Sequence, residues 1–386
     1  MRVVHVITRL IIGGAQENTV ITVLGLLKKP GVEVKLITGP TKGPEGSLEE
    51  KVLGYPGLLI KVPELVRPMH PLKDLVCFLK LLRLFRDMRP DIVHTHSGKA
   101  GFLGRMAAHF ARVPVIVHTI HGPSFGQFQG LLPNVIYLTA ERIAGRVTTF
   151  FVSVADAMSR HYLAHGIGTP EKYLTVRSGF AIQPYLEAKN DPQFRAKLGL
   201  SKTDFVVGKI ARLFKLKGHD DLITVATQIV RVNPQVRFLL VGDGYLKERL
   251  QGRIRDLGLE RHFVFAGLVP PDEIPKYVGI MDCIVHLSKR EGLPKALAQA
   301  LAAGKPVIAY DCDGAGEVCI PNKTGFLIQP DDLEGVANAI LTLANDAALR
   351  LRLGSEGRKL IVEWFDSDRM VDTLYELYLR LMSQKA

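Results

Sequence analysis

A carboxylate that stands directly before a predicted helix is the clearest chemical signal in this sequence of 386 residues. Glu291 is followed by Gly-Leu-Pro, and the helix predicted over 294–303 ends at Gly304, which suits a C-terminal cap. The amides at the start of such a helix stabilise anions, so a carboxylate or an anionic ligand is favoured there. Gln299, further along the helix, could face the same site. The structural alternatives are a helix-start carboxylate and an exposed amide.

Two cations follow another predicted strand. Arg212 and Lys217 lie between a strand predicted over 205–210 and a helix predicted over 219–232. In parallel α/β sheets, ligands bind beyond the carboxyl ends of the strands, and two fixed cations at such an end could neutralise a diphosphate. The structural alternative is an ordinary pair of surface cations.

Two glycine-rich turns occur where predicted strands meet predicted helices. Gly13 and Gly14 precede the first helix, and Gly242 and Gly244 flank Asp243 in a later turn. Glycine lets backbone amides come close to a ligand, whereas Asp243 could simply cap a helix. The first turn does not match G-x-G-x-x-G, and no acid after the second strand stands out as a ribose partner. The pattern therefore disfavours a nicotinamide cofactor, and tight turns without a ligand are the alternative.

Four histidines lie near the ends of two predicted strands: His94, His96, His118 and His121. Imidazoles at this density could bind zinc, but a metal site needs converging ligands with a second shell of hydrogen bonds. The sequence shows neither feature, so we expect no metal site. His121 is predicted to be a polar contact to a ligand instead.

Predicted strands and helices alternate along the whole chain. Apolar strands separated by helices are typical of parallel sheets covered by helices. The strands are predicted at 2–7, 33–38, 91–95, 114–118, 149–153, 205–210, 236–241, 262–266, 282–287 and 306–310. The other helices are predicted at 15–29, 71–89, 99–112, 154–166, 219–232, 245–257 and 331–345.

The polar segment 183–203 is predicted to be a linker, because a new series of strands and helices begins after it. The sequence therefore predicts an α/β protein with two doubly wound domains, 1–182 and 204–367, that face a central cleft. The functional residues are expected on the walls of that cleft. The last segment, 368–386, carries a predicted helix that could return to the first domain.

The formal charge of +12 is unevenly distributed. Residues 1–182 hold 22 Lys+Arg against 12 Asp+Glu, a local excess of +10. A basic domain suits an anionic partner such as lipid headgroups, nucleic acid or a phosphorylated substrate, although it can also simply confer solubility. No segment resembles an RNA-binding or DNA-binding motif, so we expect no nucleic acid partner.

The predicted helix 71–89 carries basic residues among leucines. Such a helix could lie in a membrane interface, where it would combine cations with apolar contact. A core helix with a solvated basic edge is the alternative. Ser97 and Lys99, in the turn after the next predicted strand, could meet an acceptor phosphate.

The sequence also bounds the location of the protein. The N-terminus lacks a signal-peptide pattern, and no stretch has the roughly 18 apolar residues of a membrane span. Cys77, Cys283, Cys312 and Cys319 are expected to be reduced, although Cys312 and Cys319 could form a bridge. We expect a cytoplasmic protein, with peripheral attachment to the inner face of the cell membrane as an option.

The motifs "GGAQ", "VHTIHG", Arg212 with Lys217-Gly218, "VGDG", "EGLPKALAQALAAGKPVIAYD", "GAGEV" and "TGFL" occur in this order along nearly the whole chain. Together they resemble the nucleotide-sugar-dependent glycosyltransferases of family 4. The resemblance implies the GT-B fold, two Rossmann-like domains with the donor in the cleft. It also implies retaining transfer of a sugar, with UDP as the expected nucleotide, to an acceptor hydroxyl. The acceptor is expected to be a lipid-linked, exopolysaccharide or cell-surface glycan precursor, and no metal or other cofactor is expected.

The resemblance implies roles for individual residues. Arg212 and Lys217 would hold the donor pyrophosphate, and Glu291 and His121 would contact the transferred sugar. The other donor contacts that we expect are Gly14, Gly244, Gly267, Leu268, Gly292, Leu293, Pro294 and Gln299. Among these, the residues at 267–268 would meet the base through backbone groups.

Gln299 departs from the family pattern, because it stands in place of the second acid of the E-x7-E motif. An amide can still accept and donate hydrogen bonds, so we expect a ribose contact and an active enzyme. The sequence Asp311-Cys312-Asp313 mimics the metal-binding DxD motif of a different glycosyltransferase fold, and we expect that likeness to be accidental. The alternative functions are a nucleotide-sugar epimerase of GT-B fold, a non-catalytic scaffold that binds membrane or nucleotide, and an oxidoreductase.

Overall fold

The computed structural model describes residues 1–41, 43, 46–126 and 128–385. The chain divides into two compact units. The first unit combines Met1–Phe180 with Ser367–Ala386, and the second is Ala181–Asp366. Ala386, the last residue of the expected C-terminal segment, lies outside the described residues.

The first unit is built on a seven-stranded sheet in the described part of the chain, with strand order β3-β2-β1-β4-β5-β6-β7 and parallel neighbours. Its strands are β1 Arg2–Ile7, β2 Glu33–Thr38, β3 Leu59–Lys61, β4 Ile92–His96, β5 Val115–Ile120, β6 Phe150–Ser153 and β7 Tyr173–Thr175. The order changes direction between β1 and β4, so the loops after these two strands meet at one edge of the sheet.

Helices cover both faces of this sheet. They are α1 Gly14–Leu26, α2 Glu50–Leu53, α3 Pro71–Met88, α4 Gly98–Phe110, α5 Leu131–Arg146, α6 Asp156–Ala164 and, after the second unit, α15 Ser367–Ser383. Successive side chains of a strand point to opposite faces. Val3 and Ile7 therefore pack in one core with α1 and α15, whereas Val4 and Val6 pack in the other with α3 and α4. No helix among the described residues is both long and apolar enough to cross a bilayer.

The second unit repeats this architecture with a six-stranded sheet in the described residues, ordered β10-β9-β8-β11-β12-β13. Its strands are β8 Phe205–Ile210, β9 Val236–Val241, β10 Phe263–Gly267, β11 Cys283–His286, β12 Val307–Tyr310 and β13 Gly325–Ile328. All neighbouring strands pair in parallel. The order reverses between β8 and β11, and a crevice outside the carboxyl ends of these two strands is the usual ligand site of such a sheet.

Eight helices of the second unit lie within its described residues: α7 Gln183–Leu186, α8 Pro192–Lys197, α9 His219–Val232, α10 Lys247–Asp256, α11 Ile274–Gly279, α12 Lys295–Ala302, α13 Leu333–Asn345 and α14 Ala347–Trp364. The segment 183–203 contains α7 and α8 and belongs to this unit. Its first helix packs against α11 and α12. Asp191 caps the second, because its carboxylate accepts from the amides of Gln193 and Phe194.

The predicted strands are confirmed, with ends that lie within two residues of the expected ones. The helix expected over 294–303 begins one residue later, at Lys295, since Pro294 is its N-cap. The sequence patterns missed β3, β7 and β13, which have only three or four residues each, too few for an alternation to be recognised. Two long helices were also missed, α14 and α5, and the many exposed apolar side chains of α5 obscure its helical period.

Candidate functional site

The loops that follow β8 and β11 are joined by hydrogen bonds at the switch point of the second sheet. The carbonyl oxygen of Leu216 accepts from the amide of Lys289 at 2.8 Å and from the Ser288 hydroxyl at 3.1 Å. Leu216 has φ 66°, a left-handed conformation that is strained for a side chain of this kind. These bonds bring the loop with Lys217 against the loop with Glu291.

Glu291 is held by two basic side chains. Its Oε1 accepts from the Lys217 ammonium at 2.5 Å and from Nε2 of His286 at 3.1 Å. Its backbone amide donates to Oδ2 of Asp313 at 2.7 Å, which fixes the loop. Both of these side-chain partners bond to the same oxygen, Oε1.

The charge of this carboxylate follows from its surroundings. Burial alone would raise the pKa of Glu291, but the charge of Lys217 and the hydrogen bond from His286 outweigh burial and hold that pKa below its usual range. Burial also lowers the pKa of His286, although the carboxylate opposes this effect. At neutral pH the site therefore contains an ionised Glu291, and the neutral imidazole of His286 donates to it.

Arg212 follows the same strand as Lys217. Its guanidinium lies over the ring of Phe214, 4.9 Å from the ring centroid, and this ring contacts Tyr245 at 4.8 Å. The carbonyl of Arg212 accepts from Nε2 of His219 at 3.0 Å, which ties the loop to the start of α9. A cation stacked on an aromatic face keeps its direction.

Glycines bring the loops of this edge together. A Cβ on Gly242 would lie 2.2 Å from the carbonyl oxygen of Ala211, and one on Gly244 would lie 2.6 Å from that of Leu213. The glycines of the "VGDG" motif therefore have a structural reason in the close approach of two loops. A donor contact at Gly244 remains a prediction.

Gly218 is the most restricted of these glycines. It is the N-cap of α9 with φ 65°, and a Cβ there would lie 2.0 Å from the carbonyl oxygen of Leu287. We expect Gly218→Ala to lower the free energy of unfolding by roughly 3 kcal/mol, since the left-handed backbone and the backbone contact both oppose a side chain. Chemical denaturation measures this loss.

Gly252 is the matched control for this substitution. It lies inside α10, where a Cβ would meet nothing within 4 Å. Gly252→Ala is expected to leave the free energy of unfolding unchanged or to raise it by up to about 1 kcal/mol, because alanine favours helices. Equal losses in the two variants would contradict the assignment of Gly218 as a conformational requirement.

The expected backbone contacts of the donor lie around α12 and β10. Pro294 offers no side-chain cap to α12, and the carbonyl oxygen of Gly292 accepts from the amide of Gly314 at 3.0 Å. At the end of β10, Gly267 has φ 71°, and Leu268 after it is 49% exposed. These positions surround the same edge of the sheet, and their contacts with a nucleotide remain predictions, as does that of Leu293.

Gln299 is buried in α12. Its Nε2 donates to the hydroxyl of Tyr185 in α7 at 2.6 Å. This bond occupies one side of the amide and directs the other, Oε1, away from Tyr185. The predicted ribose contact would therefore use the carbonyl oxygen, which is the group that glutamine shares with glutamate.

The remaining predicted site residues belong to the first unit. Gly14 is the first residue of α1, and a Cβ there would meet nothing within 4 Å. Ser97 is the N-cap of α4 with φ 67°, another left-handed residue at a strand end. Lys99 already has partners, because its ammonium contacts the carboxylate of Asp74 and the carbonyl of Pro68. An acceptor phosphate at Lys99 would have to compete with that carboxylate.

His121 belongs to a cluster of histidines in the first unit. His5 on β1 and His94 and His96 on β4 are buried and offer nitrogens that lie within 4.8 Å of one another, a spacing that could hold an ion. However, Nδ1 of His5 and Nε2 of His96 are 2.9 Å apart and share a hydrogen bond, so one nitrogen of each of these two rings is already paired within the cluster. The cluster is a hydrogen-bond network in this arrangement.

The acids of the "DCD" sequence also have structural partners. Asp313 accepts from the Glu291 amide, and the carboxylate of Asp311 accepts from the Gln329 side chain at 3.3 Å. In the structure, therefore, both carboxylates accept hydrogen bonds from other segments of the second unit.

Three residues near Glu291 were missed from the sequence: His286, Asp313 and Lys209. His286 lies five positions before Glu291 at the end of a predicted strand, and a basic residue there was a usable signal. Asp313 is distant in sequence, and only the fold places it beside Glu291. Lys209 lies inside β8, 2% exposed, where the apolar strand pattern hid it.

The burial of Lys209 predicts how the stability of the protein changes with pH. Burial, together with the nearby charge of Lys217, lowers the pKa of Lys209 to about 7. In the unfolded chain the pKa is about 10.4, so the unfolded state binds more protons between these values. The resulting destabilisation is full below pH 7 and fades as the pH rises toward 10. We expect Lys209→Met to be more stable than the natural chain by roughly 3 kcal/mol at pH 7, with the gap closing by pH 10.

Denaturation curves at several pH values measure that gap. Lys215→Met, at an exposed position of the loop after β8, is the control and should run parallel to the natural chain. A gap that stays constant from pH 7 to pH 10 would show that Lys209 is charged in the folded protein.

Comparison with known proteins agrees with this geometry. The family described as "Glycosyl transferases group 1" matches residues 190–360, and the "Glycosyl transferase 4-like domain" matches residues 14–179. The two matches cover most of both units. The chain belongs to the glycosyltransferases of the family 4 type.

Individual relatives support the assignment. This glycosyltransferase is 29% identical, over 328 residues, to an Escherichia coli enzyme named UDP-Gal:alpha-D-GlcNAc-diphosphoundecaprenol alpha-1,3-galactosyltransferase, with 84% of each chain covered. It is 24% identical to the capsular polysaccharide biosynthesis glycosyltransferase CapM of Staphylococcus aureus, with 91% of each chain covered.

Solved structures show the same fold. HepE from Anabaena, solved with UDP, has a TM-score of 0.80 at 24% identity and is matched over 98% of this glycosyltransferase and 99% of HepE. Sucrose-phosphate synthase from Thermosynechococcus elongatus has a TM-score of 0.81 at 19% identity over 100% of both chains. The expected GT-B fold, two Rossmann-like parallel-sheet domains, is confirmed.

Proposed function

We propose that this glycosyltransferase takes a sugar from a UDP-sugar and transfers it, with retention of the anomeric configuration and without a metal ion, to a hydroxyl of a lipid-linked glycan. The observation that carries the proposal is the ion pair of Lys217 with Glu291 at the switch point between β8 and β11, in a loop that also carries Arg212. A diphosphate and a sugar hydroxyl are the chemical groups that two cations and an ionised carboxylate recognise.

The relatives support the choice of donor and acceptor. The name of the Escherichia coli relative specifies UDP-Gal and a diphosphoundecaprenol-linked acceptor. HepE was solved with UDP and with UDP-glucose. We carry the nucleotide and the lipid-linked class of acceptor to this protein, and leave the sugar open.

The reaction needs two kinds of electrostatic support. The departing diphosphate gains negative charge, and Arg212 and Lys217 would stabilise it as preorganised cations. The sugar ring gains positive charge, and the carboxylate of Glu291 would stabilise it and orient a hydroxyl. His121 of the first unit would contact the transferred sugar. This scheme uses no covalent nucleophile from the protein.

In this proposal the transfer needs no metal ion, because Arg212 and Lys217 already provide positive charge. Two side-chain cations would supply what a divalent ion supplies in other transferases. Full turnover in excess EDTA supports this point, and restoration of lost turnover by added magnesium or manganese overturns it.

A thermal-shift panel with UDP-, GDP- and ADP-sugars tests the donor. A donor that binds only the folded protein raises the melting temperature by mass action, and we expect UDP-sugars to give the largest rise. The same panel on Arg212→Ala should lose that rise, whereas Arg231→Ala, on the exposed surface of α9, should keep it. No shift with any donor at millimolar concentration would overturn the proposal. Product analysis then separates transfer from epimerisation, because an epimerase consumes donor without an acceptor.

We further propose that the first unit docks on an anionic bilayer through α3 and α5, which both pack against α4. One face of α3 is exposed, with an apolar first half and a cationic second half at helical spacing. Its residues are Leu72, Leu75, Val76, Leu79, Arg83 and Arg86. Apolar side chains that reach the acyl boundary beside cations that meet lipid headgroups are the features of an interfacial helix.

Helix α5 repeats this arrangement. Its exposed apolar residues are Leu131, Leu132, Val135, Ile136 and Ile143. Arg142 is exposed on the same helix, and Arg146 lies in its last turn. The local excess of +10 over residues 1–182 complements the negative surface of anionic lipid. A bilayer is therefore the occupant that suits both the apolar and the charged parts of this surface.

Vesicle sedimentation tests the docking surface. We expect binding to vesicles with phosphatidylglycerol to exceed binding to pure phosphatidylcholine, and Leu75→Glu with Leu79→Glu to weaken it by about tenfold or more, since each charge opposes insertion of an apolar face. Leu351→Glu, at a 75% exposed site of the second unit, is the control. Equal binding by the control and the double variant would contradict the surface.

A further inference from the structure

A line of hydrogen bonds connects three imidazoles of the first unit. Nδ1 of His5 lies 2.9 Å from Nε2 of His96, and Nδ1 of His96 lies 3.0 Å from Nε2 of His121. The rings of His5 and His96 are 5.2 Å apart at their centroids and only 14° from parallel, which suits a hydrogen bond in the plane of both rings. Each imidazole is therefore bonded to the next through one nitrogen.

We propose that His5 and His96 are positioning residues that hold His121 in the tautomer with its hydrogen on Nδ1. The part of this inference that concerns turnover rests on the proposed function, in which His121 contacts the transferred sugar. The tautomer itself is a property of the first unit without any ligand.

The surroundings of His5 decide which imidazole donates to which along the line. Nε2 of His5 is buried and has no hydrogen-bond partner among the described residues. A buried N–H without an acceptor is rarer than a buried acceptor without a donor, so the hydrogen of His5 belongs on Nδ1. His5 then donates to His96, which must carry its own hydrogen on Nδ1 and donate to His121. His121 accepts at Nε2, and its hydrogen is left on Nδ1.

The hydrogens of the three imidazoles have one arrangement because all three rings are neutral. Burial lowers the pKa of His5 and of His121 to about 3, and burial together with the neighbouring histidines lowers the pKa of His96. A neutral imidazole has one donor and one acceptor nitrogen, so fixing one hydrogen in the line fixes all three.

His94 supports the line from one side. Its ring lies 4.4 Å from that of His96, while its own nitrogens bond to the hydroxyls of Tyr378 at 2.5 Å and Thr119 at 2.6 Å. Those two hydroxyls hold His94 in place without using a nitrogen of the line. His118 bonds separately to the hydroxyl of Thr95 at 2.9 Å.

The consequence for the enzyme is a fixed hydrogen-bond donor. Nδ1–H of His121 can donate to a hydroxyl oxygen of a sugar, whereas the other tautomer would present a lone pair there. Outer partners that orient metal-binding histidines contribute about 10–100-fold to affinity or activity, and the lower end of that range is the scale we use for this line. We expect loss of the line to lower kcat by about tenfold.

Nuclear magnetic resonance of ¹⁵N-histidine-labelled protein tests the tautomer directly, in EDTA and without donor. Protonated and unprotonated ring nitrogens have distinct ¹⁵N shifts. In the natural chain we expect His121 to show a protonated Nδ1 and an unprotonated Nε2. The opposite pattern overturns the proposal without the need for any variant.

A matched pair of substitutions tests the role of His5. Asparagine places an amide donor near the position of Nδ1, whereas leucine has no donor. We expect His5→Asn to keep the His121 shifts and most of kcat. His5→Leu should move the shifts toward a mixture of tautomers and lower kcat by about tenfold, with the donor KM unchanged. If the ¹⁵N shifts of His121 are unaltered in a folded His5→Leu protein, the proposal that His5 fixes the tautomer of His121 is wrong.

These experiments distinguish the tautomer proposal from the proposed function. If the ¹⁵N shifts follow the expected pattern but no UDP-sugar is consumed, the tautomer proposal is supported and the proposed function has failed. If a UDP-sugar is turned over while Nε2 of His121 is protonated, the proposed function is supported and the tautomer proposal is wrong.

Discussion

Glu291→Gln is expected to lower kcat by roughly 10²–10³-fold while leaving donor affinity unchanged or slightly improved. The carboxylate would act on positive charge that appears only as the sugar leaves, so its loss affects the transition state more than the bound donor. The neutral amide also no longer competes for the ammonium of Lys217, which lies 2.5 Å from Oε1 in the structure. Steady-state kinetics with calorimetric donor titration measure the two effects separately.

Glu334→Gln is the matched control for this variant. Glu334 is an exposed carboxylate in the first turn of α13, and its neutralisation should leave kcat unchanged. A Glu291→Gln enzyme within threefold or so of the natural kcat, with intact folding, would exclude a role for the negative charge.

Lys217→Ala is expected to act in the opposite way, by weakening donor binding about 10–100-fold. A hydrogen bond to a charged group is worth about 1.5–3 kcal/mol, and the diphosphate would lose one together with a nearby positive charge. Burial raises the pKa of Glu291, and the charge of Lys217 is the largest effect that lowers it. Without that charge the pKa rises, so the activity of the variant should be lost at a higher pH than that of the natural enzyme as the solution is acidified.

Calorimetric titration and a pH–rate profile test these two effects of Lys217. Lys215→Ala removes an exposed lysine two residues earlier in the same loop and should alter neither the donor Kd nor the profile. If both lysine variants weaken binding by the same factor, general attraction to a basic surface explains it, and the specific diphosphate contact is wrong.

Much of the fold could be predicted because its signals are local. The strands of both sheets are apolar runs followed by glycine or polar turns, and such runs are typical of parallel strands buried on both faces. The cations Arg212 and Lys217 and the carboxylate Glu291 could be proposed as a site because each follows a strand. The carboxyl ends of parallel strands share one edge of the sheet, so no distance information was needed.

The partners of these residues could not be predicted, because they depend on contacts between distant segments. Asp313 reaches the Glu291 amide from a separate loop after β12, and Tyr185 reaches Gln299 from the segment expected to be a linker. The histidines were recognised as a cluster, but His5 was not included. Its place beside His96 follows from the pairing of β1 with β4, which no local pattern reveals.

The position of α15 has a consequence for how the protein is made. Met370, Leu374 and Tyr378 of this helix complete a core whose other residues come from Met1–Phe180. A ribosome adds about 5–20 residues per second, so the first unit waits roughly 10–40 s, while the second is synthesised, with that apolar surface uncovered. During translation, therefore, the half of the chain that emerges first is the one that finishes folding last, and chaperones would meet it in that interval.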